Sequence, residues 1–305
     1  MAIKIPSYLK PGDTIGITCP AGYMDFKNAE ECISVLQKNW GYKVKIGNTL
    51  GGSSTTYFSG SDEERLADFQ AMLDDDEVDA VLCGRGGYGM GRIIDRISFK
   101  KFIKKPKWVA GYSDITVFHN HVNKNLKIAT LHAPMAAAFN DKGYLNKYVK
   151  SLKTALEGEK AIYSCRTNKR NHYGKAKAEL VGGNLALFVH TIGTKSEPVT
   201  KGKILFLEDV GEQKYNLDRM MYQLKRSGKL DNLAGLILGR FTDVQDTTRP
   251  FGEDVQEIMH QLIKEYKYPV CYDFPVSHDK ENFALKVGGT YQLQIDSKKV
   301  LLSEK

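Results

Sequence analysis

No stretch of this chain is apolar for long enough to cross a bilayer, and the first residues, Met1-Ala-Ile-Lys-Ile-Pro-Ser, hold no continuous apolar segment of the kind a secretory leader carries. The expectation is a cytoplasmic protein with no membrane partner. Cysteine is scarce and scattered: Cys19, Cys32, Cys83, Cys165 and Cys271, an odd number with no C-x-x-C among them. That argues against a disulfide framework or a zinc site and for reduced, mostly buried thiols, with only Cys165 in a polar stretch. A concentrated basic stripe is also missing. The formal net charge of +8 is spread along the chain, and its densest cluster, Lys100–Lys107, has no aromatics beside it except Phe102 and Trp108. It reads as a solvated loop, so no nucleic-acid partner is expected. Internal repeats and low-complexity segments are absent too.

What is present is the pattern of a globular chain, with 42% hydrophobic and 26% charged residues over 305 positions, enough for one large domain or two ordinary ones. Strands are predicted at Asp13–Thr18, Tyr42–Ile46, Val78–Cys83, Trp108–Ala110 and Ile128–Leu131. Between them, Phe26–Leu36 has helical spacing, and Ser61 with Glu64 forms a capping box that opens a helix to about Leu73. Such alternation predicts an α/β domain over 1–150 built on a parallel sheet, with the nearly all-apolar Val78–Cys83 at its centre. Apolar periodicity fades after Asn140, and Arg166–Lys177 is polar and basic, so 151–176 reads as a linker. A second α/β domain is predicted over 177–305. It has helices at Leu185–Ile192, Leu217–Leu224 and Val255–Tyr266. Strands fall at Lys203–Leu207, Leu233–Leu238 and Pro269–Phe274, and the C-terminal end is strand-rich.

The run Trp108-Val-Ala stops at Gly111, and Ser113 then precedes an amphipathic segment. That is strand, sharp turn, helix. A serine in such a turn is lifted above the sheet edge, and the amide that follows it is placed to hold an oxyanion. The plainer alternative is that Ser113 is only an N-cap.

Gly84-Arg85-Gly86-Gly87-Tyr88-Gly89 matches the G-x-G-x-x-G fingerprint of dinucleotide sites and sits between a strand and a helix. It follows the third strand rather than the first, however, and lacks the acidic residue expected about 20 positions later. A nucleotide-dependent oxidoreductase using this loop stays open as an alternative. So do a plain tight turn, and a loop whose unobstructed N–H groups lie beside Ser113 and complete an oxyanion hole.

A serine nucleophile needs a base. His119 and His121 lie six and eight residues after Ser113 and do not come back over its face of the helix. His132 ends the next strand and is a rival. His278 follows the strand Pro269–Phe274. An acid must orient that base, and Glu208 ends an apolar strand, with Asp209 and Glu212 as alternatives. Taken together, Ser113, Glu208 and His278 each follow a predicted strand, where α/β folds gather their chemistry.

The set Gly84–Gly89, Gly111-Tyr112-Ser113-Asp114-Ile115-Thr116, Leu207-Glu208-Asp209-Val210 and Phe274-Pro275 with His278 resembles the LD-carboxypeptidase family of serine peptidases, over almost the whole chain. The resemblance implies an N-terminal α/β domain and a C-terminal domain with a barrel-like sheet, commonly in a homodimer. It implies no metal and no cofactor. By it, Ser113, Glu208 and His278 form the catalytic triad, and the amides of Gly87 and Asp114 form the oxyanion hole. The implied reaction releases terminal D-alanine from a murein tetrapeptide by cleaving an LD-amide bond during wall-peptide recycling. The family also includes microcin C self-immunity peptidases, which is the nearest alternative. Family members often have a glycine close to the histidine, whereas here Ser277 and Asp279 flank it. A carboxypeptidase must also hold a free carboxylate, and Arg85 and Arg240 are the candidates for that substrate contact.

Overall fold

The structure is a computed structural model and describes residues 2–305. The chain starts with β1 (Thr14–Thr18), α1 (Glu30–Lys38) and β2 (Lys43–Ile46). Next comes α2 (Asp62–Asp74), where Ser61 and Glu64 close the expected capping box and three acids fill the first turn. That combination stabilises the helix start by about 1 kcal/mol. Then follow β3 (Ala80–Cys83), the short α3 (Met90–Ile93) and α4 (Lys100–Lys104), β4 (Trp108–Gly111), α5 (Thr116–Leu126), β5 (Thr130–His132) and α6 (Lys147–Leu156).

After Glu159 the chain enters a second compact unit. Its elements are β6 (Ile162–Arg166), β7 (Gly174–Asn184), α7 (Leu185–His190), β8 (Ile204–Val210), α8 (Lys214–Arg226), β9 (Gly235–Thr242), α9 (Val255–Ile263) and β10 (Val270–Cys271). Phe283–Val287 then returns to the first unit as β11 (Leu285–Val287), and β12 (Thr290–Ile295) and β13 (Lys299–Glu304) belong to the second. The stretch read as a linker, 151–176, therefore holds most of α6 and all of β6. Ile162–Arg166, at the sheet's edge, alternates exposed and covered residues because successive side chains point to opposite faces, and that thin apolar content reads as a connection.

The first unit's sheet has the order β11-β5-β4-β3-β1-β2. Its first five chain-order strands are parallel, and β11 joins antiparallel with Leu285 opposite His132. All four residues of β3 are buried, as a strand flanked on both sides requires. The second unit's sheet has the order β10-β9-β8-β7-β12-β13-β6. Strands β7 to β10 run parallel, while β12 is antiparallel to β7 and to β13, and β13 to β6. The ladder is linear. Among the described residues its two edges share no backbone pairing.

Candidate active site

In the first unit, β4 ends at Gly111. A side chain there would stand 2.9 Å from Ile115 and 3.1 Å from Cys83, so only glycine lets the following helix pack this close to the strand. Ser113 then takes φ +61°, the left-handed region that non-glycine residues occupy at a cost of roughly 1–2 kcal/mol. An N-cap has an extended backbone, so Ser113 is not the cap that the plainer reading made it. It begins a short 3₁₀ turn, Ser113–Ile115, that runs into α5, and it is half-exposed. His119, which the helical spacing set aside, is buried beneath this turn. Its Nε2 is hydrogen-bonded to the Gly111 carbonyl at 2.9 Å. Burial holds the His119 imidazole down near pKa 4, so it braces the turn as a neutral ring.

The glycine-rich loop after β3 lies against Ser113. A Cβ on Gly86 would be 2.8 Å from Ser113 Cβ and 3.1 Å from its Oγ. With Ser113 as the nucleophile that the family resemblance implies, Gly86→Ala is expected to push the hydroxyl out of place and to lower kcat by about 100-fold, the usual penalty for a displacement near 1 Å. Steady-state kinetics on a folded Gly86→Ala protein checks this. Gly87, at φ +99°, and Tyr88 are exposed at the loop's tip. Asp114 is fully buried, and its Oδ2 accepts the Met90 N–H at 2.6 Å. Burial pushes its carboxyl up to about 6, against the pull of the Met90 and Gly89 amides and of Arg65.

The second unit supplies a histidine–carboxylate pair. His278 Nδ1 lies 2.5 Å from Glu208 Oε2, and Glu208 is fully buried. The sequence put Glu208 just beyond a strand end. It lies inside β8, at a register shift between Leu207 and Asp209. A bulge re-aims a side chain that a regular strand would point elsewhere. Gly239 on the neighbouring β9 leaves it room, since a Cβ there would be 3.1 Å from Glu208 Cβ and 2.3 Å from the Val276 carbonyl. Burial alone would lower the pKa of His278. The hydrogen bond to Glu208 and the negative charges of Glu208, Asp209 and Asp279 outweigh it, and the net shift is upward. Ser277, where family members often have a glycine nearby, donates its Oγ–H to the Glu281 carbonyl at 3.1 Å and accepts the Asp279 N–H at 3.0 Å, which ties the loop on both sides of His278.

The other candidates separate. Asp209 accepts from Asn184 Nδ2 at 2.7 Å and from the Ala186 N–H at 2.9 Å, so it fastens the start of α7. Glu212 accepts from Asn216 Nδ2 at 3.0 Å. His132 is fully buried in β5, with its ring against Tyr112. Arg85 is exposed and donates to the Tyr23 carbonyl at 2.6 Å, while Arg240 forms an ion pair with Glu281. Among the described residues no group of three or more His, Cys, Asp or Glu is arranged to hold a metal, and no helix is long and apolar enough to cross a membrane.

Two family models match the chain: the LD-carboxypeptidase N-terminal domain over residues 15–133 and the LD-carboxypeptidase C-terminal domain over residues 177–293. The chain belongs to the LD-carboxypeptidase family. It is 36% identical over 288 residues to a probable murein peptide carboxypeptidase of Bacillus subtilis, covering 93% of this chain and 89% of that one. It also superposes on the crystal structure of muramoyltetrapeptide carboxypeptidase from Oxalobacter formigenes with a TM-score of 0.85. That match has 28% identity and covers 95% of this chain and 98% of the other. The microcin C7 self-immunity protein MccF of Escherichia coli is a more distant relative, 24% identical and covering 97% of this chain and 94% of that protein. Against this family's pattern, what the sequence missed is the left-handed Ser113, the carboxylate of Asp114 and the bracing His119. Only the glycines around them gave any local sign.

Proposed function

We propose that this LD-carboxypeptidase family member is a serine carboxypeptidase that removes the terminal D-alanine from murein tetrapeptides. The observation that carries the reading is Ser113 itself: a left-handed serine between strand and helix, seated against Gly86 of the glycine-rich loop. Strain of this kind persists only where the surroundings enforce it, and it raises the hydroxyl above the sheet edge. In this reading Ser113 Oγ attacks the carbonyl carbon of the scissile amide while His278 takes its proton. The Gly87 and Asp114 amides hold the oxyanion, and the imidazolium then protonates the departing amine of D-alanine. Water, deprotonated by the same imidazole, attacks the acyl-enzyme and frees the tripeptide and the serine. Glu208 keeps His278 in the tautomer with Nδ1–H and stabilises its charged form. The chain needs no metal or cofactor for these steps. The reading carries with it a cytoplasmic site of action and a homodimer, the latter checked by light scattering.

The test is mass spectrometry of a murein tetrapeptide incubated with the protein. Loss of one alanine from the C-terminus is expected, and an unchanged peptide or cleavage elsewhere contradicts the reading. The family tie to MccF favours one second reading, hydrolysis of a microcin C-type conjugate. Competing the two substrates in one reaction separates them by their kcat/KM values.

The pH profile follows from the His278 environment. A base must be neutral to accept a proton, so activity rises as His278 loses its own. Its pKa is raised, so the acid limb of kcat/KM is expected above the ordinary histidine value of about 6.5. In Glu208→Gln the limb should move to lower pH. A wild-type limb below the ordinary value contradicts this assignment.

A further inference from the structure

The loop that carries Gly87 is held on both sides of its exposed tip. Upstream, the Gly22 N–H donates to the Gly86 carbonyl at 3.0 Å. Downstream, Gly89 and Met90 are gripped from two directions. The Asp114 carboxylate takes the Met90 N–H at 2.6 Å. From the opposite side, Arg65 Nη1 donates to the Gly89 carbonyl at 3.2 Å. Arg65 is itself fully buried, donates to the Pro20 carbonyl at 2.6 Å and pairs with Asp62. The grip leaves no room for a side chain at Gly89, where a Cβ would be 2.6 Å from Arg65 Nη1 and 2.9 Å from Ala21 Cα.

A fully buried carboxylate is expensive to keep ionised, and here its hydrogen bond goes to a backbone amide of another loop. The residue that makes it is the one directly after Ser113. Any movement of the Ser113 turn is therefore passed to the glycine-rich loop, and the reverse. We propose that the Asp114 carboxylate is a positioning residue. It locks the Gly89–Met90 end of the loop to the nucleophile turn, so that the Gly87 amide points at the place where negative charge develops on the substrate. This role is distinct from the backbone amide of Asp114, and it rests on the serine-peptidase reading above.

The test compares wild type with Asp114→Ala, Asp114→Asn and Ser113→Ala on a murein tetrapeptide. Losing an aligned oxyanion donor typically costs about 100-fold or more in kcat, so Asp114→Ala should fall by about that factor with KM within about threefold of wild type. Asn keeps one acceptor oxygen but adds a donor, and is expected to lie between, about tenfold down in kcat. Faster amide hydrogen exchange at Met90 should accompany both losses. Should Asp114→Ala fail to fold, Asp114→Asn decides alone: tenfold lower kcat at constant KM supports the role, and kcat within twofold of wild type overturns it. Equal loss in kcat and gain in KM in both variants, with no recovery in Asn, also overturns it by marking a general structural defect. Full turnover by Ser113→Ala overturns the peptidase reading instead, so the two failures are distinguishable.

Discussion

Ser113→Ala is expected to lower D-alanine release by roughly 10⁴- to 10⁶-fold while leaving the fold intact. The substitution removes one oxygen from a half-exposed side chain and leaves the backbone at φ +61° as it was. Ser113→Gly extends the same experiment. Glycine occupies the left-handed region without steric cost, so this variant should be equally inactive yet more stable than Ser113→Ala, by about 1 kcal/mol in denaturant unfolding. Loss of function with a gain in stability is the signature of a strained nucleophile, whereas a residue that capped a helix would lose stability on substitution. If Ser113→Gly unfolds at lower denaturant than Ser113→Ala, the strain account is wrong even if both proteins are inactive.

The second large effect is expected at Glu208. Glu208→Gln should reduce kcat by about 10⁴-fold with little change in KM, because the neutral amide no longer fixes the imidazole tautomer or stabilises its protonated form. Oε2 carries the contact to His278, and among the described residues Oε1 has no hydrogen-bond partner. The carboxylate's bond is thus to the histidine rather than to the scaffold. Asp209→Asn, one residue on, serves as the contrast. Its partners are Asn184 and the Ala186 and Val210 amides, so its loss should appear as reduced stability around the start of α7 with far less effect on kcat. Steady-state kinetics and thermal unfolding on the two variants check the contrast. A larger kcat loss in Asp209→Asn than in Glu208→Gln would exchange the roles of the neighbours.

Much of this was readable from residue order. The buried run at β3 and the apolar stretch before Gly111 announced parallel strands, and the capping box at Ser61 set the start of α2 to the residue. The pairing of Glu208 with His278 joins positions 70 apart that share no local pattern; proximity to strand ends picked them out, and the family resemblance gave them roles. Other features were illegible for physical reasons. Serine is not a residue type that advertises a positive φ, so the strain at Ser113 is imposed by packing around Gly111 and Gly86. Glu208 looked like the end of its strand because a bulge leaves no composition signal. The return of β11 to the first unit was hidden because three residues, Leu285-Lys286-Val287, carry no mark of which sheet they join. Their partner lies more than 150 positions earlier. Lys286 within that strand is buried with its ammonium over the rings of Tyr8 and Trp108, a placement that charge alone would have argued against.

The most direct examination of Ser113 as nucleophile is to mix the protein with a murein tetrapeptide, quench in acid within the first turnover, and map the digested chain by mass spectrometry. The peptide containing Ser113 should carry the added mass of the tripeptide acyl group, and the same mixture made with Ser113→Ala should show none. An acyl group found on another residue, or D-alanine released in full burst with no covalent adduct on the chain, would contradict it.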